Sequence, residues 1–181
     1  MRRILKITGV AIALSLSIFG FHFANNVPGS GNDEIQIIEN YESISSFKEL
    51  VNNPKFKGKV LYVDIWGVYC KPCIEEFNHI QTLKDSFKNK PVEFIYLASP
   101  YKRSNDVARW KSGMKKYNLN GHNMLMSLDF YNGIWEEIPE MKEPFLIPHY
   151  LIVNKGGQIA NPNAPRPSSK KTLYDEIAAL L

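Results

Sequence analysis

Cysteine is the residue this chain has least of in proportion to what it reveals: 181 residues contain two, Cys70 and Cys73. A structural zinc site takes four ligands, and one Cys-x-x-Cys pair supplies two. No second pair exists. The four histidines, His22, His79, His122 and His149, show no ligand-like spacing. A zinc site is therefore not expected, nor any other metal. A disulfide-stapled scaffold is excluded too, because a bond between residues three apart closes a tiny loop and restrains the unfolded chain little. Acidic residues are absent before Asp33, whereas Arg2, Arg3 and Lys6 give that end its charge. Those three account for most of the formal +4; without residues 1–24, 19 basic residues face 18 acidic ones. A near-neutral domain has no electrostatic footprint for a phosphate backbone, so nucleic acid is not expected as a partner. Internal repeats and low-complexity segments are also lacking, and the length suits one domain with a full core.

What is present at the N-terminus is ordered like an export signal. A basic start, Met1–Lys6, precedes the apolar or small residues from Ile7 to Phe21, and Asn25-Asn26 opens a polar stretch. Ala24 suits the last position of a leader, although His22 departs from the small-x-small pattern. Ile7 to Ala24 is also long enough to span a bilayer, so residues 1–24 read as a signal peptide or an N-terminal membrane anchor. No cysteine follows this run, which excludes a lipid anchor on Cys. Either reading places the domain in the periplasm or another extracytoplasmic space, where disulfide chemistry on other proteins is a plausible task. Residues 25–39, with Pro28, Gly29 and Gly31, read as a linker with a possible first strand at 34–38.

From residue 40 to 181 strands and helices alternate. Ser45 or Ser46 caps a helix carrying Phe47, Leu50 and Val51. The apolar run 60–65 reads as a strand buried on both faces. Ile74, Phe77, Ile80, Leu83 and Phe87 mark one amphipathic helix from Cys70 to about Lys88. Val92 to Ala98 is a second strand. Ser104 caps a helix with Val107, Trp110, Met114 and Tyr117 on one face. A loop with a short strand follows, then a less regular stretch with a short helix around 134–138 and breakers at Pro139 and Pro144. His149–Val153 and Gln158–Ala160 form an antiparallel hairpin about Asn154-Lys155-Gly156-Gly157. A final helix begins near Ser168. The pattern gives an α/β sandwich with a mixed sheet.

The two cysteines stand where a strand meets a helix. A helix starting at Cys70 points its free N–H groups and positive dipole end at that sulfur, stabilising the thiolate. Pro72 fits the first turn, where its missing N–H costs nothing. Lys71 adds a smaller, solvated positive charge. Cys73, one turn in, is shielded. Cys70 is thus the expected nucleophile and Cys73 the thiol that resolves a mixed disulfide. Asp64, in an otherwise apolar strand, is the candidate base for Cys73 through a water if it is buried; a solvated strand-end aspartate is the alternative.

Val63-Asp64-Ile65-Trp66 followed by Cys70-Lys71-Pro72-Cys73 resembles the active-site signature of the thioredoxin superfamily. The leader, Glu76 three residues past Cys73, and the insert between Ala98 and Ile147 resemble the TlpA/ResA branch of membrane-associated thiol–disulfide oxidoreductases. Asp64 sits where that branch often has asparagine, and Tyr69 where tryptophan is usual. The resemblance covers residues 40–181 and implies a thioredoxin-like domain. It implies a cis peptide at Ile147-Pro148 facing the dithiol, with Ile147 offering backbone groups to an extended substrate. It implies that Glu76 lines the site and tunes the cysteines, a solvated helix face being the alternative. Trp66 and Tyr69 are expected on the substrate side as well, Trp66 by packing under the active-site loop. His149 has either an influence on Cys70 or a packing role. No cofactor is expected beyond the Cys70–Cys73 disulfide itself.

The implied activity is reduction of disulfides in exported proteins, apocytochrome c among the candidates, with a membrane or envelope electron donor recharging the dithiol. A binding or chaperone module without turnover is the alternative. A thiol peroxidase is the weaker one, because such relatives carry Thr-x-x-Cys where this chain has Cys70.

Overall fold

The strand that leads to the cysteines has no exposed residue. Val60–Trp66 forms β2, buried along its whole length, because it is interior to the sheet, parallel to β3 (Val92–Ala98) and antiparallel to β5 (His149–Val153), with a packed layer on each face. The computed structural model describes residues 31–101, 103–139 and 145–181. The leader or anchor expected at residues 1–24 lies outside them, as does Pro144. With β1 (Ile35–Ile37), β4 (Gly121–Leu125) and β6 (Ile159–Asn161), the strands form one sheet ordered β1-β4-β3-β2-β5-β6. The β1, β4, β3 and β2 strands are mutually parallel and the β5–β6 hairpin runs against them.

Side-chain alternation along β2 divides the core in two. Val60, Tyr62 and Trp66 face one layer, with Cys70, Cys73, Phe77, Ile80, Trp110, Met114, Leu173 and Ile177. Leu61, Val63 and Ile65 face the other, with Phe47, Leu50, Phe130 and Ile134. Asp64, by the same alternation, points into the cysteine layer. The helices follow: α2 (Lys71–Glu76), α3 (Ile80–Ser86), α4 (Asp106–Lys116) and α6 (Lys171–Ala178) cover the first face, α1 (Phe47–Val51) and α5 (Leu128–Glu137) the second. Ser46 caps α1 by accepting the Glu49 N–H at 3.1 Å. The Glu137 carboxylate also accepts the N–H groups of Phe47 and Lys48, at 2.9 and 3.0 Å, tying α1 to α5.

Three elements differ from expectation. The helix after Cys70 is not continuous: a 3-10 turn, Phe77–His79, separates α2 from α3. The Asn78 amide donates to the Glu75 carbonyl at 3.0 Å, competing for the acceptor that the His79 N–H takes in an unbroken α-helix. The cap of α4 is Asn105 rather than Ser104, and Val107 is exposed while Trp110 and Met114 are buried. The last helix on the second face begins at Leu128, not near Ile134, because Ser127 caps it by accepting the Phe130 N–H.

Candidate active site

β2 ends at Trp66 and the chain turns at once: the Cys70 N–H donates to the Gly67 carbonyl at 2.9 Å. Cys70 keeps extended backbone angles, φ −84° and ψ 97°, and occupies the N-cap of α2. Its Sγ accepts the Cys73 N–H at 3.2 Å. The pair is oxidised, with S–S 1.98 Å and Cα–Cα 5.3 Å. Cys70 keeps 9% of its surface exposed and Cys73 none. Cys70 is thus the less buried of the two. The N–H that meets the Cys70 sulfur here is also placed to stabilise its thiolate once the bond is reduced.

Gly67 leaves room for three side chains that converge on the turn. A Cβ there meets Tyr101 Oη, Ser99 Oγ at 2.8 Å and Ile147 Cδ1 at 3.0 Å. Gly67→Ala must push these groups apart directly ahead of the dithiol. We expect it to lose about 1–3 kcal/mol of stability, the usual cost of overpacking, read by denaturant unfolding. An unchanged unfolding midpoint would show that the turn has slack.

Asp64 lies beneath this turn, 1% exposed, with neither carboxylate oxygen hydrogen-bonded. Burial pushes its pKa well above the usual carboxylate range, and the charge of Glu76 pushes it further. Its register partners are Tyr96 on β3 and Tyr150 on β5, whose hydroxyls are likewise buried without partners. Tyr62 stacks on Tyr150, ring centres 5.5 Å apart, and donates to the Pro165 carbonyl at 2.8 Å. The Asp64 of the structure is thus the buried acid, not the solvated strand end.

Glu76 is buried as well. Its carboxylate accepts both the N–H and the Oγ–H of Ser168, each at 2.9 Å, fixing the turn Pro167–Ser169 against α2. The solvated glutamate of this helix is Glu75, loosely paired with Lys71 at 3.9 Å.

The rim comes from three places. The Ile147–Pro148 peptide is cis, and pairing of Ile65 with His149 sets it beside the end of β2. Tyr69 is exposed, edge-on to Tyr101 at 4.8 Å and bonded through its Oη to the Arg103 guanidinium at 2.9 Å. Trp66, expected on the substrate side, is fully buried, edge-on to Phe77 at 5.3 Å. It supports the loop from below and presents no surface to a substrate, because its place in β2 turns it into the core. His149 is held by Pro162, its Nε2 lying 2.8 Å from that carbonyl, and its ring meets Trp135 edge-on. Burial lowers its pKa, which the bond to Pro162 partly opposes.

The Redoxin family model matches residues 35–177, which include every residue of this site. The chain belongs to the Redoxin family. A 64-residue stretch is 38% identical to the thiol-disulfide oxidoreductase ResA of Bacillus thuringiensis subsp. konkukian, covering 35% of each chain. ResA of Halalkalibacterium halodurans is 26% identical over 88 residues, 48% of this chain and 47% of that one. The chain therefore spans between a third and a half of the length of these relatives. A putative thiol-disulfide oxidoreductase from Bacteroides vulgatus superimposes with a TM-score of 0.56 at 26% identity, over 70% of this chain and 82% of the other. The fold of this Redoxin chain is the thioredoxin-like α/β sandwich that its motif implied.

Some groups at the Redoxin site went unnoticed in the sequence. Ser168 is 92 residues from Glu76 and no local pattern joins them. Tyr101 and Arg103 had one signal, their place just past the carboxyl end of a parallel strand, where α/β sheets put functional loops. Among the described residues no group of three His, Cys, Asp or Glu side chains is arranged to hold a metal ion.

Proposed function

We propose that the protein is an extracytoplasmic thiol–disulfide oxidoreductase that reduces disulfides in exported polypeptides. The observation that carries this reading is the unequal exposure of a dithiol pair whose outer sulfur caps a helix. The Cys70 thiolate attacks a substrate disulfide, so that a Cys70–substrate bond forms and one substrate thiolate leaves. Cys73 gives its proton to Asp64 through a water and attacks Cys70. The Cys70–Cys73 bond of the oxidised protein forms and the second substrate thiolate departs. Two electrons pass to the substrate, and a membrane or envelope donor restores the dithiol. Tyr69, Ile147 and Pro148 form the substrate side, and Glu76 shapes the field felt by Asp64. Residues 7–24 are the membrane tether if the leader is retained, and apocytochrome c is the specific substrate candidate.

The test is the reduction potential, measured with insulin reduction by the pre-reduced protein. We expect turnover of insulin and a potential more negative than about −200 mV, on the reductant side of known dithiol proteins. A value near ~−120 mV, that of a strong oxidant, would reverse the proposed direction.

A further inference from the structure

Tyr69 stands immediately before the attacking sulfur, and two guanidinium groups gather on its exposed ring. Arg103 has its Cζ 4.6 Å from the ring centre and donates through Nη1 to the Tyr69 hydroxyl. Arg109, in the first turns of α4, has its Cζ 5.5 Å from the same centre. Two like charges held at one place repel. Among the described residues neither arginine has an ion-pair partner. Asp106, the acid closest in sequence, accepts the N–H groups of Tyr101 and Arg103 through Oδ2, and its Oδ1 is buried. Glu75 is engaged by Lys71. Both arginines are exposed. A guanidinium held over an aromatic face keeps N–H donors free, and Arg103, which gives one Nη1 hydrogen to Tyr69, retains others that suit a carboxylate.

This cationic face adjoins the cis-proline segment. The contacts around Gly67 bring Tyr101 Oη and Ile147 Cδ1 to the same spot. Just before Ile147, Phe145 and Leu146 are 52% and 57% exposed, with Phe145 leaning on Tyr131 and Trp135. A chain laid along Ile147–Pro148 toward Cys70 thus passes exposed apolar residues and two guanidinium groups that form no ion pair among the described residues.

We propose that Arg103 and Arg109, arrayed on Tyr69, form an anion-binding face that selects substrate polypeptides carrying an aspartate or glutamate beside the cysteine under attack. The inference rests on the oxidoreductase reading above and adds the substrate's charge to it. Arg103 and Arg109 are specificity residues: they touch the substrate's flank, not its sulfur.

The experiment uses the full chain, pre-reduced, and two synthetic disulfide peptides identical except for Glu or Gln next to one cysteine. We expect kcat/KM to favour the Glu peptide about tenfold at low salt, the scale of a few exposed charge contacts. The preference should collapse in about 1 M salt, where the Debye length is ~3 Å. R103Q/R109Q should bring the ratio close to one, and R103E/R109E should turn the preference toward a Lys peptide. A wild-type ratio near one, or a preference that survives high salt or the double substitution, overturns the inference. Should a double variant fail to fold, the wild-type ratio and its salt dependence still decide. Reduction of both peptides at equal rates defeats the charge selection alone. Reduction of neither peptide nor of insulin defeats the oxidoreductase reading, and the selection with it.

Discussion

Cys70→Ser should leave less than about a thousandth of wild-type insulin reduction, the scale of loss when a covalent nucleophile is removed. Cys73→Ala should instead stop the cycle half-way. Cys70 is the cysteine that keeps some exposed surface and the one whose sulfur meets a helix N–H at 3.2 Å. With Cys73 replaced, attack still occurs, but no thiol remains beneath Cys70 to displace the substrate. One mixed disulfide per chain should accumulate, visible as a shifted band without reductant and reversed by dithiothreitol. Burial makes the asymmetry strict: Cys73 has no exposed surface, so in Cys70→Ser it should trap nothing. A mixed disulfide on Cys73 in that variant, or full turnover without Cys70, would show that the sulfurs have exchanged roles or that the dithiol is not the reacting pair.

The parts of this arrangement that were legible in the sequence are those encoded within one or two elements. The run 60–65 announced burial on both faces, but left Asp64 open between a buried acid and a solvated strand end until the helices on both faces of the sheet were placed. The Cys-Lys-Pro-Cys step announced a helix start, and the structure places Cys70 at its cap. What local pattern could not show was tertiary competition. The apolar spacing from Ile74 to Phe87 is right for helix, but it says nothing of Asn78 taking a backbone acceptor in its middle. Val107 matches the stripe of Trp110 and Met114, yet the first turn of α4 lies outside the core and leaves it exposed. Glu76 and Ser168 meet only because α2 and the approach to α6 cover the same face of the sheet.

Asp64→Asn should make the protein more stable at neutral pH and slower at releasing its product. In the unfolded chain Asp64 has an ordinary carboxyl pKa of about 3.9. In the fold, burial first and the Glu76 charge second raise it well above that. Between the two values the folded state holds a proton that the unfolded state has lost, so stability falls as pH rises through that window. Below it both states are protonated and the ionisation penalty is absent; above it the penalty is complete. Asparagine has no such window. Thermal melts should therefore show variant and wild type alike near about pH 4 and the variant ahead near about pH 8, around the ordinary carboxyl pKa and well above it. The rate should move the other way. A positioned base contributes about 10²–10⁴-fold, and we expect a loss of about tenfold to a hundredfold because water can substitute in part. Stopped-flow decay of the mixed disulfide reads this step, and the gap between the two proteins should widen with pH as Asp64 ionises. Glu76→Gln removes the second contribution to the shift, so the wild-type rise in rate should begin at lower pH. Tyr62, Tyr96 and Tyr150, the other titratable groups around Asp64, have their pKa values raised by burial and stay neutral throughout. Two pH–rate profiles that run parallel would leave Asp64 only its effect on stability, and the proton of Cys73 would then need another acceptor.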